Sequence, residues 1–157
     1  MIRRATINDI DDIKKLLLQV NNVHALARPD IFIPNQTKYN DCELKELIKN
    51  DNKPIFVYEE NNKVIAHMFC IIEITKDSHI LKDKKELYID DLCVLDEYRK
   101  KGIGTKLYEF GLKYAKDNDF DYLTLNVWEG NNEAIKFYQN LGLSIRNIHR
   151  SEERRVG

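Results

Sequence analysis

The sequence predicts a mixed α/β fold, and three observations carry that prediction. An apolar strand, Leu92-Cys93-Val94-Leu95, runs through a short basic loop holding Gly102 and Gly104 into an amphipathic helix. β-rich runs cluster in the middle of the chain between helical segments, and the one strand–helix–strand crossover lies at that loop. A right-handed crossover should make strands 86–95 and 122–127 parallel neighbours. Finally, 157 residues with 43% hydrophobic content suit one globular domain with a sizeable core.

Taken in order, Ile2 to Thr6 reads as a first strand. Asn8 can cap a helix with Asp11 at the third position. Ile10, Ile13, Leu17 and Val20 recur at helical spacing, and the helix is expected to end near Asn22. Val23 to Tyr39, with Pro29, Pro34 and scattered aromatics, has neither period and reads as an irregular crossing loop; long loops in compact domains are often functional. Asn40 and Glu43 form a capping pair for a short helix ending near Lys49. Pro54–Glu59 and Lys63–Thr75 form a hairpin around Glu60-Asn61-Asn62, whose asparagines tolerate positive φ. Val64 to Ile72 is apolar almost throughout, as in a strand covered on both faces. Strand 86–95 feeds the glycine loop. The next helix, about Gly104 to Asn118, should bury Ile103, Leu107, Phe110, Gly111 and Tyr114. Strand 122–127, a helix from Asn131 to Leu141 ended by Gly142, and a strand near Leu143 to Ile148 complete the order.

Charge and cysteine usage exclude several classes. The net charge of −1 favours neither a nucleic acid nor an anionic membrane. Cys42, Cys70 and Cys93 are widely spaced and never in C-x-x-C, which argues against disulfides or zinc and fits a reducing cytoplasm. No apolar run approaches ~18 residues, and Met1-Ile2-Arg3-Arg4 lacks a following apolar stretch, so no membrane span or signal peptide is expected. The four histidines are isolated, no metal site is assigned, and His67 reads as a packed strand residue. Trp128 reads as a packing anchor.

The loop itself is a phosphate-binding arrangement. Gly102 and Gly104 permit a tight turn with consecutive N–H groups, a helix N-terminus points at the same place, and Arg99, Lys100 and Lys101 add cations. The string G-x-x-x-x-G-K-[ST] is absent, as is a third glycine completing G-x-G-x-x-G, so both nucleotide-loop readings lose.

What remains is R-x-x-G-x-G, Arg99 to Gly104, followed by Asn131-Asn132-Glu133-Ala134-Ile135-Lys136-Phe137-Tyr138-Gln139-Asn140-Leu141-Gly142-Leu143, which matches N-x-x-A-x-x-F-Y-x-x-x-G-[FL]. On these two ordered strings the sequence resembles the GNAT superfamily of acyl-CoA-dependent N-acyltransferases, over roughly Lys63 to Ile145. The resemblance implies a twisted, mostly antiparallel sheet flanked by helices, with a parallel strand pair that splays to hold the pantetheine arm. It also implies a closing strand, yet residues 150–157 are too charged to be one; they read as a disordered or non-native tail to a domain over 1–149. Acetyl-CoA is the implied co-substrate, held by Leu92, Cys93, Val94, Arg99, Lys100, Lys101, Gly102, Ile103, Gly104, Thr105 and Asn131. A homodimer is compatible with this reading.

Further roles follow from the resemblance. Tyr138, in the family's F-Y pair, protonates or hydrogen-bonds the departing CoA thiolate, a task that suits a phenol. Asp90 and Asp91 are unusual in an apolar strand, where a buried charge is costly unless it has a role or a partner. Tyr88-Ile89-Asp90-Asp91-Leu92-Cys93-Val94 is similar to the Y-L-E-D-F-F-V segment of diamine acetyltransferases, which sets Asp90 at the place of the Glu that relays the amine proton. Only a bulge or a strand end would let both carboxylates reach one cleft, since successive side chains alternate faces. Ribosomal-protein N-terminal acetyltransferases carry a Glu base five residues before the motif Asn. Here that position is Asn126, which disfavours that subfamily. Asp91, Asn126, His24 and Phe32 are expected around the acceptor. The activity expected is direct acetyl transfer to a primary amine of a cationic small molecule, such as a polyamine, or of a peptide; the alternative is a non-catalytic acyl-CoA sensor. A toxin that acetylates aminoacyl-tRNA would need a basic face that the net charge does not supply.

Overall fold

The structure of the protein, a computed structural model, describes residues 1–154. Met1–Asn126 forms one compact unit, and a second begins at Val127. In the first unit a five-stranded sheet runs in the order β1 (Ile2–Arg4), β2 (Ile55–Glu60), β3 (Lys63–Thr75), β4 (Lys84–Val94) and β5 (Tyr122–Leu125). The first four pair antiparallel and β4–β5 is parallel, as the crossover requires. Glu60 pairs with Lys63 across Asn61 and Asn62, which sit at φ 51° and 60°, the two positive values that a tight hairpin of matching twist needs.

Helices cover both faces of the sheet. On one face, α1 (Ile10–Ala27) and α2 (Asp41–Lys49) bury Ile13, Leu16, Leu17 and Leu44 with Ile55, Val57, Phe69 and Cys93. Asn40 accepts from the Glu43 N–H at 2.8 Å, and Glu43 accepts from the Asn40 N–H at 3.0 Å, the reciprocal cap read from the sequence. On the other face lies α3 (Ile103–Asp117), with Phe110 and Tyr114 edge-on to Phe56 at 5.0 and 5.3 Å. A Cβ at Gly111 would meet Met68 Cε at 3.0 Å, so glycine here lets α3 approach the sheet without displacing the Met68 side chain. Each large side chain buried here contributes roughly 1.5–3 kcal/mol.

Three expectations are corrected. The first helix starts at a 3₁₀ turn, Ile7–Asp9, where Asp9 accepts from the Thr6 N–H at 2.7 Å; Asn8 is exposed and does not cap. The same helix continues past Asn22 to Ala27, because Asn21 and Asn22 do not break it. They turn outward and tether the following loop, Asn21 donating to the Ile33 carbonyl at 2.7 Å and Asn22 accepting from the Asn35 N–H at 2.8 Å. In the second unit, α4 (Asn132–Asn140) ends at Gly142 with φ 95°, but residues 143–150 form no strand, and Ile145 and Ile148 are exposed. A strand exists through its ladder, and the charged residues that follow offer no apolar return strand to pair with. Positions 155–157 of the expected tail lie outside the described residues. Trp128, read as a packing anchor, is 40% exposed.

An ion-pair knot ties β1 to the helical layer. Arg3 donates to both Asp9 oxygens at 2.8 and 2.9 Å and to Glu59 at 3.3 Å. Burial works against the Asp9 charge, but the bonds from Arg3 and Thr6 outweigh it and hold the carboxyl below its usual range. A lowered folded pKa means stability that is present above the unfolded value and lost as pH falls through the folded one. Asp9→Asn should therefore cost about 1–3 kcal/mol at pH 7, with the gap to wild type closing below about pH 4 in denaturant titrations.

Candidate active site

The centre of the candidate site is one residue of irregular pairing in β4. Phe69 pairs with Asp91 and Cys70 with Ile89, so Asp90 is an extra residue bulged out of the ladder. The bulge resets the alternation and puts both carboxylates on the α1 side of the sheet. Asp91 Oδ2 lies 2.5 Å from Nε2 of His67 on β3. Asp90 Oδ2 accepts from Lys38 Nζ at 2.9 Å; Lys38 lies 5.4 Å from the centroid of the Tyr39 ring, and Tyr39 stacks on Phe69, on that same face. The strand-face conflict raised by adjacent aspartates is resolved by the bulge.

Around them gather other residues expected at the acceptor. His24 lies on α1, in the segment expected as loop, and stacks on Phe32 with centroids 5.0 Å apart. Burial lowers the His24 pKa, the Asp91 charge raises it and Lys38 lowers it, with burial prevailing, so its neutral form is favoured. Asn126 donates to the Tyr88 hydroxyl at 3.0 Å. Burial and the charge of Asp90 push that phenol up. Lys38 is held above its ordinary value because the Asp90 bond outweighs its burial.

The β4–β5 ladder stops at Ile89 and Leu125, so β4 runs on from Asp90 to Val94 with no strand pairing on its β5 side among the described residues. Leu95 donates to the Ile65 carbonyl of β3 at 2.9 Å. By strand alternation, the N–H groups of Leu92 and Val94 turn the opposite way, to the unpaired edge. These are main-chain donors aimed into a gap that an extended ligand could occupy as a strand does. Cys93 turns inward and is buried, its Sγ donating weakly to the Leu16 carbonyl at 3.5 Å. Its thiol is pushed well up by burial, and that of Cys70 to about 12, so neither supplies a thiolate nucleophile.

Beyond β4 the chain enters a 3₁₀ turn, Asp96–Tyr98, and then the basic loop. Lys100 at φ 61° and Gly102 at φ 80° curl the backbone into a concave turn at the head of α3. The first helical bond runs from the Lys106 N–H to the Gly102 carbonyl at 3.0 Å, so the N–H groups of Ile103, Gly104 and Thr105 precede it at the positive end of the helix. Ile103 has a buried side chain and can offer a ligand only its backbone. Arg99, Lys100 and Lys101 are exposed; Arg99 Nε lies 3.2 Å from Asp96 Oδ1, and Lys101 lies over the Tyr98 ring at 5.3 Å. The donor set fits a pyrophosphate.

In the second unit, Asn131 caps α4, accepting from the Ala134 N–H at 3.3 Å, and Tyr138 meets Phe137 edge-on at 5.0 Å. The sequence reading missed Gln19, Lys38 and the pairing of His67. Gln19 donates to the Val94 carbonyl at 2.7 Å and accepts from the Asp96 N–H at 3.1 Å, clamping the end of β4. Its signal was a lone amide beside the apolar stripe of α1; that of His67 was a titratable group inside an otherwise apolar strand.

Residues 20–143 match the Acetyltransferase (GNAT) family, and the chain belongs to it. The probable N-acetyltransferase san of Drosophila melanogaster is 34% identical over 135 residues, 76% of this chain and 71% of that protein. N-alpha-acetyltransferase 50 of Danio rerio is 30% identical over 141 residues, 80% of this chain and 82% of that protein. A tetramutant of the BH1408 protein from Bacillus halodurans, solved by X-ray crystallography, superposes with a TM-score of 0.92 at 28% identity, covering 97% of this chain and 98% of that one. Membership defines the reaction class: the protein is an acetyl-CoA-dependent N-acetyltransferase.

Gly104→Glu tests the phosphate turn. A carboxylate in the first turn of a helix is favourable for folding but repels a pyrophosphate at the same N–H groups. The variant should melt like the wild type and show no calorimetric binding of acetyl-CoA; unchanged affinity would remove the assignment.

Proposed function

We propose that the protein transfers the acetyl group of acetyl-CoA directly to a primary amine of a cationic, polyamine-like small molecule or of a peptide. The observation that carries this reading is the bulge that sets two carboxylates on one face where β4 parts from β5. An amine arrives as an ammonium at neutral pH and must lose a proton before attack. Asp90 relays that proton through water. Asp91 attracts the cation, and His24, Phe32 and Asn126 line the acceptor's approach. The amine nitrogen then bonds the acyl carbon, and the backbone N–H of Val94, free of the β3 ladder, stabilises the developing oxyanion. As the C–S bond breaks, Tyr138 gives its proton to the thiolate; the intact F-Y motif supports that role.

We place acetyl-CoA along Leu92, Cys93 and Val94 and over Arg99, Lys100, Lys101, Gly102, Ile103, Gly104 and Thr105, with Asn131 contributing a hydrogen bond. Residues 1–149 are taken as one catalytic domain and 150–157 as a charged tail outside it. A cytoplasmic setting is favoured by three free cysteines, one of them exposed.

A CoA-release screen with acetyl-CoA against polyamines, aminoglycosides, amino acids and peptides tests the function. Turnover with a cationic amine is expected; tight acetyl-CoA binding with no release for any acceptor would instead favour an acyl-CoA sensor. On the acceptor so found, Tyr138→Phe should lower kcat roughly 10- to 1000-fold with similar KM, because the hydroxyl matters when sulfur gains charge and little before. Unaffected turnover would mean that another acid or solvent protonates the thiolate. Asp90→Asn should cut kcat/KM most at neutral pH and recover partly at higher pH, where more free amine is already deprotonated. Asp91→Asn should chiefly raise KM for a cationic amine. Equal, pH-independent profiles for both variants and wild type would remove both carboxylates from the mechanism.

A further inference from the structure

His67 is a buried titratable group that the mechanism above does not use. It is fully enclosed in the middle of β3, paired across the ladders with Val57 on one side and Cys93 on the other, and edge-on to Phe69 at 4.8 Å. Its Nε2 lies 2.5 Å from Asp91 Oδ2, while Nδ1 is buried with no hydrogen-bond partner among the described residues. Asp91 sits diagonally across the β3–β4 pair from His67, on the same face, so the contact is set by strand register as well as by side-chain rotamers.

We infer that His67 is a positioning residue for the acceptor site, holding Asp91 in one rotamer as the fixed anion that receives a cationic acceptor. The inference rests on the acceptor-binding role proposed for Asp91. The two ring nitrogens decide how the contact works. A hydrogen on Nδ1 would be a buried donor with nothing to bond, and it would leave Nε2 able only to accept from a protonated Asp91. A hydrogen on Nε2 instead makes a charge-assisted bond to an ionised carboxylate. His67 is therefore the donor, and Asp91 is the anion. Because Nε2 already carries its hydrogen, Asp91 has no inward route for a further proton.

The two aspartates then differ in kind. Asp91 is 14% exposed and anchored from beneath by a ring that cannot move without disturbing β3. Asp90 is paired with Lys38, a long side chain 56% exposed, which can swing away when an acceptor ammonium arrives. The rigid carboxylate selects positive charge; the one with the exchangeable partner is left to handle the proton. Asp91 also faces His24 from α1, whose neutral form adds no competing positive charge.

Long-range ¹⁵N–¹H NMR of the His67 ring at neutral pH, in the full-length protein, should show Nε2 protonated and Nδ1 bare. The opposite tautomer would overturn the inference whatever the acceptor. Calorimetry with spermidine as the probe, in the presence of CoA, supplies the second readout. Wild type should bind it. His67→Leu, which keeps the bulk and removes the donor, should bind on the order of tenfold more weakly, and His67→Gln, whose amide can donate to Asp91, should recover most of the loss. Leu and Gln variants that both bind like wild type, while Asp91→Asn does not, would overturn the role of His67 and leave that of Asp91 standing. Spermidine binding that is absent in wild type, or unchanged in Asp91→Asn, would remove the underlying reading and the inference with it. If His67→Leu fails to fold, shown by loss of its melting transition, the NMR tautomer still decides between the outcomes.

Discussion

One extra residue in β4 governs the arrangement of the site. A strand presents successive side chains to opposite faces, so two adjacent aspartates would ordinarily be divided between the α1 side and the α3 side. The α3 side is apolar, filled by Met68, Leu107 and Phe56, and an uncompensated carboxylate there would be expelled. The bulge at Asp90 removes the conflict by shifting the register, so that Phe69 faces Asp91 and Cys70 faces Ile89. The same irregularity falls where β4 stops pairing with β5. One local insertion thus gathers the two carboxylates on one face and coincides with the opening of the edge from which Leu92 and Val94 present their N–H groups.

The electrostatics on that face are arranged by partners on three different elements. Lys38 comes from the loop after α1, His67 from β3 and His24 from α1 itself. None of these contacts is local in sequence, and together they bring two carboxylates, the Lys38 ammonium and two histidine rings onto one face of the sheet. Gln19 links this face to the cofactor side, since the amide that holds the Val94 carbonyl also holds the N–H of Asp96 at the entrance to the basic loop.

Features written in short stretches of sequence were legible in advance. The asparagine turn at 61 and 62, the reciprocal Asn40–Glu43 cap and the crossover that makes β4 and β5 parallel all appear as read. What sequence could not supply was set by pairing between distant segments. Asn21 and Asn22 look like helix breakers until Ile33 and Asn35 are seen to take their side chains. His67 looks like a packed residue until the shifted register brings Asp91 to it. The stretch 143–148 has strand composition, but composition cannot provide the ladder partner that a strand requires. Among the candidate site residues, Asp90, Asp91, His24, Phe32 and Asn126 lie on one unit and share an electrostatic neighbourhood through Lys38 and Tyr88. For Tyr138 and Asn131 the motif carries the argument.

The central claim is that acetyl-CoA binds as a surrogate strand on the open edge of β4, with its pyrophosphate on the turn that leads into α3. Amide hydrogen exchange, read residue by residue with and without acetyl-CoA, tests this most directly. The account predicts new protection at the N–H groups of Leu92 and Val94 and across Lys101 to Thr105, with little change at Cys93, whose N–H already faces β3. Protection confined to other segments, with Leu92, Val94 and the glycine turn unchanged, would contradict it.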